Sequence, residues 1–147
     1  VIIGCNAAVF TLGREVVSGL PNHAYRLFSA DDVSAAEYII ANTEPDAVFL
    51  TDDNHNNTVA ALTGRNIVCG SPSYLYYHGL DYTGAQRDAQ AMLTDAEAFE
   101  RLRGEYSIGY VYFGSVERKL DGNIYGYLAE NYPAVFDSGT VTVFDVR

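Results

Sequence analysis

Two stretches of this sequence, and one carboxylate further on, gather side chains able to do chemistry. The first stretch, Asp52-Asp53-Asn54-His55-Asn56-Asn57, sets two carboxylates and an imidazole among three amides. Asp52, Asp53 and His55 are of types that hold a divalent cation. The same types also cap a following helix and brace a turn, which is their commoner use after a buried strand. The second stretch, Tyr74-Leu75-Tyr76-Tyr77-His78-Gly79-Leu80-Asp81-Tyr82, interleaves aromatic faces with His78 and Asp81. A surface that stacks on sugars or headgroups has this composition, and so does a loop anchored over a sheet by its tyrosines. Glu117, followed by Arg118, is the third feature. The candidate ligand-binding residues are therefore Asp52, Asp53, His55, Asn56, Tyr74, Tyr76, Tyr77, His78, Asp81 and Glu117.

Asp53 with Glu117 would supply the two carboxylates that glycoside hydrolysis needs, although nothing in the sequence sets their separation. Arg65, after Gly64, reads as one half of a structural ion pair with a carboxylate. Asn56-Asn57-Thr58 is a formal glycosylation sequon. There is no GxSxG elbow, no HExxH and no glycine loop for phosphate, and no glycine-rich turn follows the first strand. No catalytic residue, metal ligand or cofactor is assigned on these grounds.

The chain around these residues has 147 positions, enough for one domain with a real core. Hydrophobic residues make up 48% and charged residues 19%, a balance that excludes a disordered chain. Nine basic against nineteen acidic side chains leave a net charge of −10, which repels phosphate backbones and anionic lipid surfaces. Nucleic acid is thus excluded as a partner, and no apolar run reaches the roughly 18 residues of a membrane span. Direct membrane insertion of these residues is not expected. The start on Val1 instead of Met suggests a segment of a longer protein. Cys5 and Cys69 are too few for a metal site; Cys69 reads as a small buried hydrophobe, and a disulfide between the two is left open.

The elements that must position the candidates follow from periodicity. Residues 7–18 suit a helix, broken at Gly19-Leu20-Pro21-Asn22. Ser29-Ala30-Asp31-Asp32 reads as a capping box opening a helix that ends near Thr43 before Pro45. Ala47 to Thr51 is an apolar run, the pattern of a doubly buried strand. Thr58 to Thr63 suits a helix stopped by Gly64, and Asn66 to Gly70 a second buried strand. Ser71 to Tyr82 reads as loop, followed by helices over 86–93 and 96–103 with Asp95 as a cap. Gly109 to Gly114 is the third strand. Val116 to Tyr132 is helical with a break at Asp121-Gly122-Asn123, and residues 134–136 and 140–144 form a hairpin. The predicted fold is α/β: a small, mainly parallel sheet in three layers, with helical crossovers and a C-terminal antiparallel hairpin. Residues 1–28 form an N-terminal segment and 29–147 the single α/β domain. In such a sheet the segments 52–57, 71–81 and 114–118 converge beyond the strands' carboxyl ends.

The ordered run of motifs also resembles a known architecture. Pro45 to Thr51, His55-Asn56-Asn57, Val59 to Arg65, Tyr74 to Tyr82 with its central His78-Gly79-Leu80-Asp81-Tyr82, Tyr110-Val111-Tyr112 with Glu117, and Tyr132-Pro133 carry it. They are similar to the C-terminal soluble domain of multi-spanning prokaryotic membrane proteins that resemble GT-C glycosyltransferases, which use polyprenyl-phosphate sugars. The resemblance covers about Ser29 to Arg147. It implies an extracytoplasmic accessory domain, its N-terminal segment 1–28 following a transmembrane region, whose partners are its own transmembrane domain and a carbohydrate or acceptor. The catalytic acid of GT-C enzymes lies in a loop between early membrane helices, so no catalytic residue carries over. A free-standing hydrolase and a structural interaction module are the alternatives.

Overall fold

The computed structural model describes residues 5–19 and 26–147. Most of the break expected after Gly19, and the Cys5 side chain on which a disulfide would depend, lie outside the described residues. Five strands make one sheet in the order β2-β1-β3-β5-β4: β1 (Val48–Leu50), β2 (Asn66–Ile67), β3 (Tyr110–Phe113), β4 (Ala134–Asp137) and β5 (Thr142–Asp145). β1 pairs in parallel with β2 and with β3, while β5 runs antiparallel to both β3 and β4. The α/β fold with its C-terminal hairpin is as the sequence pattern predicts.

Alternation along the strands makes two cores. Leu50, Val111, Phe113 and Phe144 face α4 (Thr83–Thr94), α5 (Ala96–Leu102) and α6 (Tyr125–Asn131), where Met92, Phe99 and Leu128 complete the larger core. Phe49, Tyr110, Tyr112 and Val143 face the other way, onto Ala35 and Ile39 of α2 (Ala30–Asn42) and onto Val59. Both faces of the sheet are covered, which is why its central strands read as continuous apolar runs. Cys69 is buried within the larger core, as its apolar setting implies.

Ser29 opens α2 as a reciprocal cap. Its hydroxyl accepts from the Asp32 N–H at 3.1 Å, and the Asp32 carboxylate accepts from the Ser29 N–H at 2.8 Å. Ser29→Ala is expected to lower stability by about 1 kcal/mol in chemical denaturation. The other end of α2 corrects an expectation. Among the described residues Arg65 pairs with no carboxylate; its guanidinium donates to the carbonyls of Ile40 and Thr43 and to the Thr43 hydroxyl. It thereby satisfies the last carbonyls of α2, a cation placed at the negative end of a helix.

Three further elements differ from the sequence reading. Residues 59–63 form a π-helical turn, with Gly64 left-handed behind it (φ 67°). β2 is only two residues long, because the chain bends away at Val68 and leaves it a short, half-exposed edge. Pro72–Tyr77 is a helix, α3, not a loop: Pro72 at the first turn presets helical backbone, and the Gly79 that follows is left-handed. The break at 121–123 is real and splits a short 3₁₀ turn (Glu117–Lys119) from α6. α1 (Cys5–Ser18) precedes these elements.

Candidate functional site

The sheet order reverses at β1. The chain leaves β1 for β2 on one side and returns to β3 on the other, so the loops after β1 and β3 part at their carboxyl ends. A cleft of about 340 Å³ opens there, lined by Asp32, Asp52, Asn54, His55, Asn56, Thr58, Tyr112, Ser115 and Glu117, with Leu27 and Phe28 on its apolar side. A second hollow of about 580 Å³ lies across the Asp52–Asn54 strand of chain, between that loop, α4 and the Val116–Asp121 segment. Asp52, Asn54 and Val116 line both.

Glu117 holds the two loops together. It is 1% exposed, and its Oε1 accepts from the Thr51 hydroxyl (2.8 Å) and the Asp52 N–H (2.9 Å). Its Oε2 accepts from the Gly114 N–H at 2.9 Å. Burial first, and the negative charge of Asp52 second, push the Glu117 carboxyl upward, although the donors from Asp52 and Thr51 pull the other way. Asn57, also buried, locks the first loop. Its amide donates to the Thr51 hydroxyl (2.9 Å), the Asp52 carbonyl (2.8 Å) and the Asp52 carboxylate (3.1 Å), and its carbonyl accepts from the Ala60 N–H.

The wall facing α2 is made by Tyr112, whose hydroxyl donates to Asp32 at 2.6 Å. Burial works against ionisation of Asp32, but the bonds from Tyr112 and Ser29 outweigh it and hold the carboxyl below its usual range. Burial, with Asp32 next, pushes the Tyr112 hydroxyl well up, so it stays a donor. The cleft thus carries three carboxylates, from Asp32, Asp52 and Glu117, and neither lysine nor arginine among its lining residues. Its field is unfavourable for phosphate and suits ligands that bring hydroxyl or N–H donors.

The ten predicted residues separate into groups. Asp52, His55, Asn56 and Glu117 line the cleft. Asp53 turns away, its carboxylate accepting from Gln86 of α4 at 2.6 Å, and borders the second hollow. The carboxylates that meet are therefore Asp52 and Glu117, not Asp53 and Glu117. The physical reason is what holds each one: Asp52 accepts from Asn57 and the Asn54 N–H, whereas Asp53 is drawn to Gln86. Asp53 bonded to Gln86 and His55 bonded to Tyr74 face different elements, and among the described residues no group of three or more His, Cys, Asp or Glu side chains is gathered as a metal site. Glu117 and Arg118 also diverge. Arg118 lies over the Tyr125 ring at 4.3 Å and donates to Thr142.

α3 reaches the cleft through one contact: the Tyr74 hydroxyl is 3.2 Å from His55 Nε2, with the rings 4.8 Å apart. Tyr76 and Tyr77 form an edge-to-face pair (5.5 Å) and stand 66% and 83% exposed, with exposed His78 beside them. They anchor nothing beneath them, which sets aside the anchored-loop reading for these two. Asp81 braces the turn before α4; it accepts from the Thr83 N–H and hydroxyl at 3.0 and 2.7 Å. Asn56 is exposed on the cleft rim, whereas Thr58 of the same sequon is buried.

Sequence reasoning missed Asp32 and Tyr112 as cleft residues, while Gly114 lay in the 114–118 segment expected to converge there but was given no role of its own. Asp32 was legible as a helix cap only; its second oxygen is used across 80 residues of sequence. Gly114 has a local signal: it follows a run of large residues, and a Cβ there would lie 2.8 Å from the Tyr112 ring.

No protein-family model matches the sequence, and no curated protein matches it. A solved structure does match: the C-terminal globular domain of an oligosaccharyltransferase, AglB-S2, from Archaeoglobus fulgidus. It superposes with a TM-score of 0.58 at 14% identity, covering 82% of this chain and 99% of that domain. The likeness is one of fold. Among the described residues no helix is long and apolar enough to cross a membrane.

Proposed function

We propose that this chain is an extracytoplasmic, non-catalytic accessory domain of a membrane glycosyltransferase-like protein, which contacts carbohydrate or acceptor while a separate membrane domain performs transfer. The observation that carries the reading is the whole-domain fold likeness. Nearly all of the oligosaccharyltransferase domain finds a counterpart here, instead of one shared supersecondary unit. The site geometry agrees with a binding role. Glu117 gives all three of its observed bonds to the protein's own loops, so it organises the cleft and is not presented to a substrate. The acidic lining, without lysine or arginine among the described residues, fits neutral, hydroxyl-rich ligands and disfavours the phosphate of a lipid-linked donor. Near it, α3 exposes Tyr76 and Tyr77 as an edge-to-face pair, an aromatic shelf of the kind on which sugar faces stack.

The test uses Tyr76→Ala with Tyr77→Ala. Both side chains are largely exposed, so the double variant keeps the wild-type melting temperature within experimental error. Glycan binding by the domain, followed by titration with NMR detection, is expected to weaken about tenfold or more. Transfer activity of the full-length protein should fall in parallel. Unchanged binding and activity would remove the shelf from the function. A free-standing hydrolase remains the competing reading, favoured by the buried Glu117 beside Asp52. Turnover of a glycoside or phosphoester by the isolated domain, abolished in Asp52→Asn, would establish it instead.

A further inference from the structure

α1 is an amphipathic helix whose apolar side joins neither core among the described residues. Val9, Phe10, Leu12, Val16 and Val17 are exposed, Phe10 by 73% and the others by 47–67%. Thr11, Arg14, Glu15 and Ser18, spaced three, four and seven residues on, occupy the opposite side. Arg14 and Glu15 pair at 3.0 Å and are the sole charged residues in positions 1–19. They cancel, so the whole net charge of −10 resides in positions 20–147. An exposed apolar stripe this continuous calls for a cover.

We infer that α1 lies flat in the interface of a bilayer of neutral headgroups, its apolar side among the acyl chains and Thr11, Arg14, Glu15 and Ser18 toward water. Two alternatives are less consistent with what the helix offers. A second copy of α1 would bury far less than the roughly 1,200 Å² of a stable specific interface, since the helix has only 14 residues. A protein groove reads shaped anchors, whereas this stripe has one aromatic among aliphatics. Acyl chains require no shape, only apolar area and an absence of unpaired charge. Charge also selects the lipid. With no net charge on α1 and −10 on the remainder, anionic headgroups repel the molecule and neutral ones do not. The interfacial seat concerns α1 alone and holds whichever ligand the cleft takes.

The experiment is flotation of the full 147-residue chain with phosphatidylcholine vesicles, compared with Phe10→Asp/Val16→Asp. Both replaced side chains are exposed, so the variant folds, as a matching far-UV spectrum and melting temperature will verify. The wild-type chain is expected to float, the variant to lose partitioning by roughly tenfold or more, and phosphatidylserine in the vesicles to weaken binding. Tyr76→Ala/Tyr77→Ala is expected to float like wild type. The inference is overturned if the chain stays in the dense fraction or floats equally well with both aspartates. It is also overturned if the tyrosine variant loses flotation, or if sedimentation reveals a dimer that the aspartates dissolve.

Discussion

Glu117→Ala is expected to destabilise the domain by about 3–5 kcal/mol in urea denaturation, the largest effect of any single change outside the apolar cores. The truncation strands two backbone N–H groups, of Asp52 and Gly114, and the buried Thr51 hydroxyl, all of which donate to this carboxylate. It also uncouples the loops after β1 and β3, so the cleft should lose its shape along with its stability. Glu117→Gln keeps the volume and one acceptor but turns an amide donor toward one of those N–H groups, and should fall between. The wild-type carboxyl carries a pH signature as well. Burial and then Asp52 raise it from 4.5 to about 7, so the folded state holds this proton more tightly than the unfolded chain. The corresponding stability is whole below about pH 4.5 and is lost as pH climbs to about 7. The urea midpoint of wild type should therefore decline across that window, while Glu117→Gln stays flatter. A midpoint that rises across it would show that the three donors keep Glu117 ionised throughout.

Gly114→Ala is the second large effect, about 1–3 kcal/mol. The added Cβ would sit 2.8 Å from a ring carbon of Tyr112. That ring is buried and its hydroxyl is tied to Asp32, so it cannot swing aside without giving up the bond. In a Tyr112→Leu background the same alanine should cost clearly less, a coupling that a double-mutant cycle measures. If the two costs simply add, the close approach is relieved by the backbone and the ring is not what demands glycine.

What could be read from residue order alone divides along the range of the interactions. The Ser29 cap, the Asp95 cap, the apolar run of β1 and the 134–144 hairpin are local, and each was legible because its partners lie within a few positions. The convergence of the 52–57 loop with Glu117 was also within reach, since strand order in a parallel sheet dictates where loops meet. Which carboxylate of the Asp52–Asp53 pair faces Glu117 was not, because that depends on the phase with which the chain leaves β1. Arg65 misled for a related reason. A guanidinium sequesters carbonyls as readily as carboxylates, and the helix end it serves lies 22–25 residues earlier. α3 was hidden by its own composition, since tyrosine, serine and glycine around Pro72 resemble a loop until the proline is placed in a first helical turn.

The position of β5 has a consequence for how the molecule is made. This strand, the last of the five in the sequence, is not at a border of the sheet but inside it, flanked by β3 and β4, and Val143 and Phe144 contribute to opposite cores. Until residues 142–145 are available, β3 has no neighbour on that side and both cores lack a wall. The helices can thus form early, but the sheet cannot close until the β5 residues are in place. Deletion of residues 142–145 would remove an interior strand instead of fraying an edge, and such products should be recognised and degraded as unfolded.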